Sequence, residues 1–263
     1  MNLSDKSIIV TGAASGLGFE FAARFLELGA SVVATDVDHT KLKQASKRLS
    51  DKEHVGRLLI TNCDVTDADQ VTAATKLTVD TFGRVDVLIN NAGIGGLAPF
   101  VDLTVEFWNQ VIATNLTGVF LFSQSVAREM IPRGNGRIVN ISSVSGVRAG
   151  FGRSAYGTAK AGVIQLTKQM AVELGCHGIT ANAVSPGPID TPMAVTGHTT
   201  KTRTSYLNSI PLKRYGTPRE IANIAAFLAS DEASYINGQS IGADGGFLAA
   251  GIMADDILEG CPS

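Results

Sequence analysis

Apolar residues along this chain gather in short unbroken runs, which alternate with longer stretches where they recur every third or fourth position. A short run without a polar face suits a strand buried on both sides, and the wider spacing suits a helix with one apolar face. Strands are expected at 7–11, 31–36, 57–63, 85–90, 136–142, 179–185 and 239–242. Helices are expected at 17–28, 39–49, 68–82, 104–131, 153–174 and 218–228, with 104–131 divided into two near Asn115. Alternation of this kind is the mark of parallel βαβ units. It predicts an α/β fold: a doubly wound, seven-stranded parallel sheet with helices on both faces.

Two stretches break the alternation. Residues 186–214 hold Pro, Gly and Thr with only a weak helical pattern, and a loop this long in a compact domain commonly covers a ligand, so a substrate lid is expected there. The tail, 247–263, begins Phe-Leu-Ala-Ala-Gly-Ile-Met and is apolar enough to pack against something, such as a neighbouring subunit; Asp255 to Ser263 are expected to be mobile. Nothing resembling a linker divides the chain, and its 263 residues fit a single domain, 1–263.

Composition narrows the partners. A net charge of −2 without a basic tract gives no pull toward nucleic acid or an anionic membrane, so neither is expected. The N-terminus lacks the charged, apolar and small-residue succession of a signal peptide, and no apolar run approaches the ~20 residues that span a bilayer. Cys63, Cys176 and Cys261 are odd in number and form no CxxC, which favours a reducing, cytoplasmic setting. His39, His54, His177 and His198 form no metal-spaced pair and are read as surface residues, with no metal expected.

The candidate chemistry lies in two places. Gly12, Gly16 and Gly18 follow the first strand and open a helix, where backbone N–H groups can receive a pyrophosphate without Cβ obstruction. Asp36 ends the second strand, where a carboxylate can accept hydrogen bonds from ribose hydroxyls and repel a 2′-phosphate. Further on, Tyr156 and Lys160 stand four apart and so share a helix face, close enough for the ammonium to lower the phenol pKa. Ser143, at the end of the fifth strand, can bind the same substrate oxygen as the Tyr. Together they suit carbonyl–alcohol interconversion.

In one order the chain carries Thr11-Gly-Ala-Ala-Ser-Gly-Leu-Gly18, Asn90-Asn-Ala-Gly93, Asn115, Ser143, Tyr156, Lys160 and Pro186-Gly187, and so resembles the short-chain dehydrogenase/reductase family from about Ser7 to Gly246. The resemblance implies a Rossmann-type domain and an enzyme in which Tyr156 is the acid/base, Lys160 binds the nicotinamide ribose and Ser143 polarises the substrate oxygen. Asn115 would hold a water in the proton relay. It also implies cofactor contacts from Ser15 and Leu17 in the glycine turn, from Asp64-Val65 at the adenine, from Asn91 and Gly93 near the ribose, and from Pro186, Gly187, Ile189 and Thr191 at the carboxamide. Ser15 and Val37 stand where NADP-preferring relatives commonly carry a basic residue, so NAD is the expected cofactor. Relatives of this size usually form homotetramers through the helices at 104–131 and 153–174 and the last strand.

Substrate residues are harder to name. Ser145, Arg148, Arg153 and Arg203 are the candidates, and a guanidinium three residues before Tyr156 can bind a carboxylate, phosphate or sulfonate in bidentate fashion. Arginines are also commonly solvated or tied into salt bridges. The expected reaction is oxidation of a secondary alcohol, or its reverse, on a small polar metabolite such as a hydroxy acid, sugar or polyol. The alternatives are a 3-oxoacyl-thioester reductase, a relative that typically uses NADPH, and a non-catalytic NAD(H) sensor.

Overall fold

A computed structural model of the chain describes residues 1–50 and 56–251. His54, Cys261 and the segment from Asp255 to Ser263 therefore lie outside the described residues. The strands are β1 (Ser7–Thr11), β2 (Ser31–Asp36), β3 (Leu58–Asn62), β4 (Val87–Asn90), β5 (Gly136–Ile141), β6 (Ile179–Pro186) and β7 (Ser240–Ala243). They form one seven-stranded sheet in the order β3-β2-β1-β4-β5-β6-β7, and every neighbouring pair is parallel. The order reverses between β1 and β4, so the chain diverges above their carboxyl ends and opens a crevice there.

Strand alternation divides the core in two. Ile8, Val10, Val32, Val87 and Ile89 face one layer, where they meet Phe21, Phe25 and Leu26 of α1 (Gly16–Glu27) and Ile221 and Leu228 of α9 (Pro218–Ala229). Ile9, Val33, Leu88 and Ile138 face the other, against α3 (Ala68–Phe82), α5 (Gly118–Met130) and α6 (Ser154–Leu174), where Phe122 and Met130 are fully buried. Between these layers, Asn90 donates to Ser123 and Asn140 at 2.9 and 2.8 Å, and Asn140 donates to Thr167 at 2.8 Å. This buried polar ladder ties β4 and β5 to α5 and α6, each amide group being partnered as a dry interior demands.

Two expectations need correction. Residues 104–131 are not broken at Asn115: α4 (Val105–Ile112) runs into α5 through a π turn, Ala113–Thr117, where the Gly118 N–H donates to the Ala113 carbonyl. The extra residue in that turn shifts the apolar period, which is why the sequence looks interrupted. Residues 186–214 are not mainly loop. They contain α7 (Pro192–Gly197) and α8 (Thr200–Ser209), started by Thr191 and Thr199, whose side chains accept from the backbone of Ala194 and Thr202. No residue of α8 is buried, so it leaves no apolar period in the sequence. α2 (His39–Leu49) is where the pattern put it, capped by Asp38. The first residues of the tail fold back on their own chain, with the Phe247 ring 5.8 Å from that of Tyr206.

Candidate active site

A cleft of about 940 Å³ opens at the carboxyl ends of the strands. One side is the glycine turn. Gly12 has φ +66°, and a Cβ there would stand 2.8 Å from Ala92 Cα. Gly16 has φ +56° with no atom nearer than 4.0 Å to such a Cβ, so the turn is open toward the cleft at that point. Gly18 does not line the cleft; its missing Cβ lets the turn close against the Gly12 carbonyl. Ser15 precedes α1 but makes no capping hydrogen bond, which leaves the first-turn N–H groups of α1 without a side-chain acceptor. This is the donor arrangement that an anionic pyrophosphate requires, and the residues fit a dinucleotide.

Asp36 holds this side together. Its carboxylate accepts from Ala14 N at 3.0 Å and from Asp38 N at 2.9 Å, joining the turn to the end of β2. Helix capping falls to Asp38, leaving Asp36 to line the cleft with Val37, Asp64 and Val65. Asn91 donates to the Thr11 and Gly12 carbonyls at 2.9 and 3.2 Å, so its amide braces the turn. Gly93 lies between Asn115 and Lys160: a Cβ on it would be 3.3 Å from Asn115 Oδ1 and 3.7 Å from Lys160 Nζ. Pro186, Gly187, Pro188, Ile189 and Thr191 line the cleft beyond β6, anchored by Gly187 N to Ala243 O at 3.0 Å and Asp190 N to Gly216 O at 2.9 Å.

The chemical centre forms where β5 meets α6. Ser142 Oγ donates to the Lys160 carbonyl at 2.8 Å, while Lys160 Nζ donates to the Ile141 carbonyl at 2.7 Å. Ser143 begins a short turn, Val144–Gly146, and its Oγ accepts from Ser145 N at 3.1 Å. Its hydroxyl is close enough to Tyr156 to oppose the rise that burial gives the phenol pKa. The strand's alternation thus sends Ser142 to the helix and Ser143 to the Tyr. The expected trio of Ser143, Tyr156 and Lys160 is brought together in the cleft.

The electrostatics differ from expectation. Burial raises the Tyr156 pKa above its ordinary value, opposed by the Ser143 hydrogen bond and the Arg153 charge. Lys160 is not among the influences on it, its Nζ lying 5.7 Å from the ring centroid and turned to Ile141. Burial lowers Lys160 itself to about 8. A desolvated ammonium holds its proton less tightly, so the positive charge it offers fades as pH rises past about 8. Cys63, at the cleft wall, is pushed up to about 12 by burial and then by Asp64 and Asp67, so it is an inert thiol.

Other candidates fall outside this centre. Asn115 is fully buried and is not in the cleft lining; its amide exchanges hydrogen bonds with Ile94 N and O at 2.8 and 2.9 Å. Arg148 is exposed and stacks over Phe247 at 5.2 Å. Arg203 pairs with Asp190 at 2.9 Å and lies 4.2 Å over the Tyr215 ring. Neither lines the cleft, whereas Ser145 and Arg153 do. His198 and Tyr206, which α7 and α8 bring to the lining, were not among the expected site residues; a His and a Tyr within one lid segment were the only hint. No group of three or more His, Cys, Asp or Glu that could hold a metal occurs among the described residues, and no helix there is long and apolar enough to cross a membrane.

The comparisons agree with this geometry. A family model described as enoyl-(acyl carrier protein) reductase matches residues 12–248. The chain is 43% identical over 248 residues to 3-oxoacyl-(acyl-carrier-protein) reductase FabG of Thermotoga maritima, covering 94% of this chain and all of that one. It is 41% identical to 2-(R)-hydroxypropyl-CoM dehydrogenase of Xanthobacter autotrophicus, covering 92% and 98% of the two chains. The crystal structure of levodione reductase superposes with a TM-score of 0.91 at 38% identity, covering 94% and 99%. The chain belongs to the short-chain dehydrogenase/reductase family. It is an oxidoreductase that acts on a carbonyl or hydroxyl group with a nicotinamide cofactor.

The depressed Lys160 pKa has a consequence for stability. Between about 8 and the ordinary lysine value of 10.5 the unfolded chain holds this proton more tightly than the folded one, so the group adds stability as pH rises through that window. Lys160→Met lacks this dependence. Compared by urea unfolding at pH 7 and pH 10, the variant's stability relative to wild type should fall by about 3 kcal/mol toward the higher pH; an unchanged difference would mean that Lys160 is not desolvated.

Proposed function

We propose that the chain interconverts a secondary alcohol and a ketone with NAD(H), on a small substrate carrying an anionic group. The observation that carries the anionic reading is Arg153. Its guanidinium lines the cleft 5.4 Å from the Tyr156 ring centroid, and no carboxylate among the described residues pairs with it. Its rim neighbour Arg203 is already paired. A half-buried guanidinium beside the reacting atoms gains most from a substrate carboxylate, phosphate or sulfonate.

The nicotinamide, when bound, supplies or accepts the hydride. The residues that would hold it are those of the glycine turn, Asp36, Asp64, Val65, Asn91, Gly93, Lys160 and the 186–191 segment. Ser143 and Tyr156 together bind the substrate oxygen. In the reducing direction Tyr156 gives its proton to the developing alkoxide, a role suited to a phenol that burial keeps protonated, and Lys160 helps restore it. Asn115 supports the Gly93 floor beside Lys160. α7 and α8 act as the substrate lid, and the chain works as a cytoplasmic homotetramer; exposed apolar residues on α5 and α6, such as Phe120 and Val172, support burial of those helices in an assembly.

A second reading, a 3-oxoacyl-thioester reductase, is favoured by a specific observation: the 43% identity to FabG over nearly the whole chain. On similarity alone it is the better supported. The Asp36 carboxylate at the cleft counts for NAD in either case, because it would repel a 2′-phosphate. Steady-state assays with both nicotinamides, pairing 3-oxoacyl thioesters against hydroxy acids, sugars and polyols, separate the two.

Two variants test the chemistry. Tyr156→Phe should lower kcat by roughly 10² to 10⁴ and leave NAD binding nearly unchanged, as read by steady-state kinetics and cofactor titration; normal turnover would remove Tyr156 from the mechanism. Wild type should prefer NAD over NADP in kcat/KM by about 2 to 3 kcal/mol, and Asp36→Ala should narrow that gap. Equal efficiency of wild type with the two cofactors would refute the assignment.

A further inference from the structure

His198 follows α7 and is half-buried at the cleft, with Tyr206 and Arg153 in the same lining. Its ring is held from three sides. Nδ1 lies 3.0 Å from the hydroxyl of the buried Tyr215, the Tyr206 ring stacks on it at 5.2 Å and 22°, and the Tyr215 ring meets it edge-on at 5.9 Å. Nε2 has no hydrogen-bond partner among the described residues. When the Tyr215 hydroxyl donates to Nδ1, the neutral ring carries its proton on Nε2, and a protonated ring presents an Nε2–H whichever way that bond runs. Three contacts orient the ring and none uses its outer nitrogen, which leaves Nε2 for a ligand.

We propose that His198 is a second substrate-binding residue, which joins Arg153 to form a subsite for the anionic group of the substrate. This rests on the anionic reading given above and assigns the lid a part in recognition. Arg153 supplies the charge from the start of α6, and His198 supplies its outer nitrogen from the lid, in the same lining. Tyr206 forms the wall between lid and cleft. Arg203 is excluded from the subsite by its ion pair with Asp190.

The arrangement makes binding pH-dependent. The groups facing His198 are Arg153 from α6, Arg203 and Tyr206 from α8, Tyr215 ahead of α9, and Asp190, which is paired with Arg203. Burial first, then Arg153 and Arg203, hold its pKa below the ordinary value, so the empty lid carries a neutral imidazole at pH 7. An anion docked on Arg153 offsets those cations and favours the imidazolium. His198 therefore takes up a proton as the anion binds, and the anion's affinity falls as pH rises through the His198 pKa of the bound state.

The test uses the full-length enzyme saturated with NADH, titrated calorimetrically with ethanesulfonate and butyrate as charged probes and butan-2-ol as a neutral one. Arg153→Gln and His198→Phe should each weaken both anions by about tenfold or more while changing butan-2-ol less than about twofold. Unchanged butan-2-ol and NADH binding also shows that each variant is folded. Proton uptake, read from heats in buffers of different ionisation enthalpy, should accompany anion binding in wild type and vanish in His198→Phe. His198→Gln, which keeps an N–H, should recover part of the anion affinity at pH 8. If Arg153→Gln weakens the anions and His198→Phe does not, the role of His198 is overturned and the anionic reading stands. If wild type binds neither anion, or Arg153→Gln has no effect, the anionic reading falls and the subsite falls with it.

Discussion

The active centre depends on a reciprocal latch between β5 and α6. Ser142 Oγ holds the Lys160 carbonyl at 2.8 Å, and Lys160 Nζ returns to the Ile141 carbonyl at 2.7 Å. Gly146 allows the approach, because a Cβ there would come within 2.7 Å of the Lys160 carbonyl carbon. With one strand end fixed to one helix turn, the geometry of the remaining residues follows. Tyr156 is one turn before Lys160 on the same face, Ser143 is the next residue along the strand, and Arg153 opens the helix at the mouth of the cleft. Preorganisation of this kind is what the proposed role of Ser143 and Tyr156 at the substrate oxygen requires, since neither then has to be repositioned during reaction.

The latch also sets the electrostatics. An ammonium taken out of water and given one carbonyl is only partly compensated, which is why Lys160 titrates near about 8. Tyr156 remains protonated in the same dry pocket. The pair is therefore poised to hold and pass a proton rather than to display a stable phenolate, and Arg153 supplies the nearest persistent charge. Across the cleft, Asp36 performs a similar fastening task for the glycine turn. Both cofactor and substrate sides thus rest on polar groups tying one loop to the sheet.

Much of this could be read from the residues. Strands buried on both faces leave unbroken apolar runs, which made β1, β2, β4, β5 and β6 legible, while the partly exposed edge strands β3 and β7 were placed by their position in the alternation. The π turn at Asn115 was not, because one inserted residue in a continuous helix mimics a break. α8 was invisible for another reason: it is stabilised by a Thr cap and aromatic contacts, with no buried face to impose a period. His198 and Tyr206 were missed with it. Spacing anticipated that Ser143, Tyr156 and Lys160 would line one cleft and could not foresee that the Lys would face Ile141, since that depends on the carbonyl at a strand end. Its place three residues before Tyr156 singled out Arg153, but sequence could not say which of Arg148, Arg153 and Arg203 is tied up by a neighbour. Only Phe247, Tyr156 and Asp190 beside them tell them apart.

The central claim is that the β5–α6 latch, and not the mere presence of a Tyr and a Lys, creates the reactive geometry. Gly146→Ala tests it most directly, since the atoms nearest the added methyl are the backbone of Lys160 and Ala161. Turnover of NADH with the ketone that wild type reduces fastest should fall by about tenfold or more in a variant that still melts cooperatively. Full turnover in that variant would contradict the account.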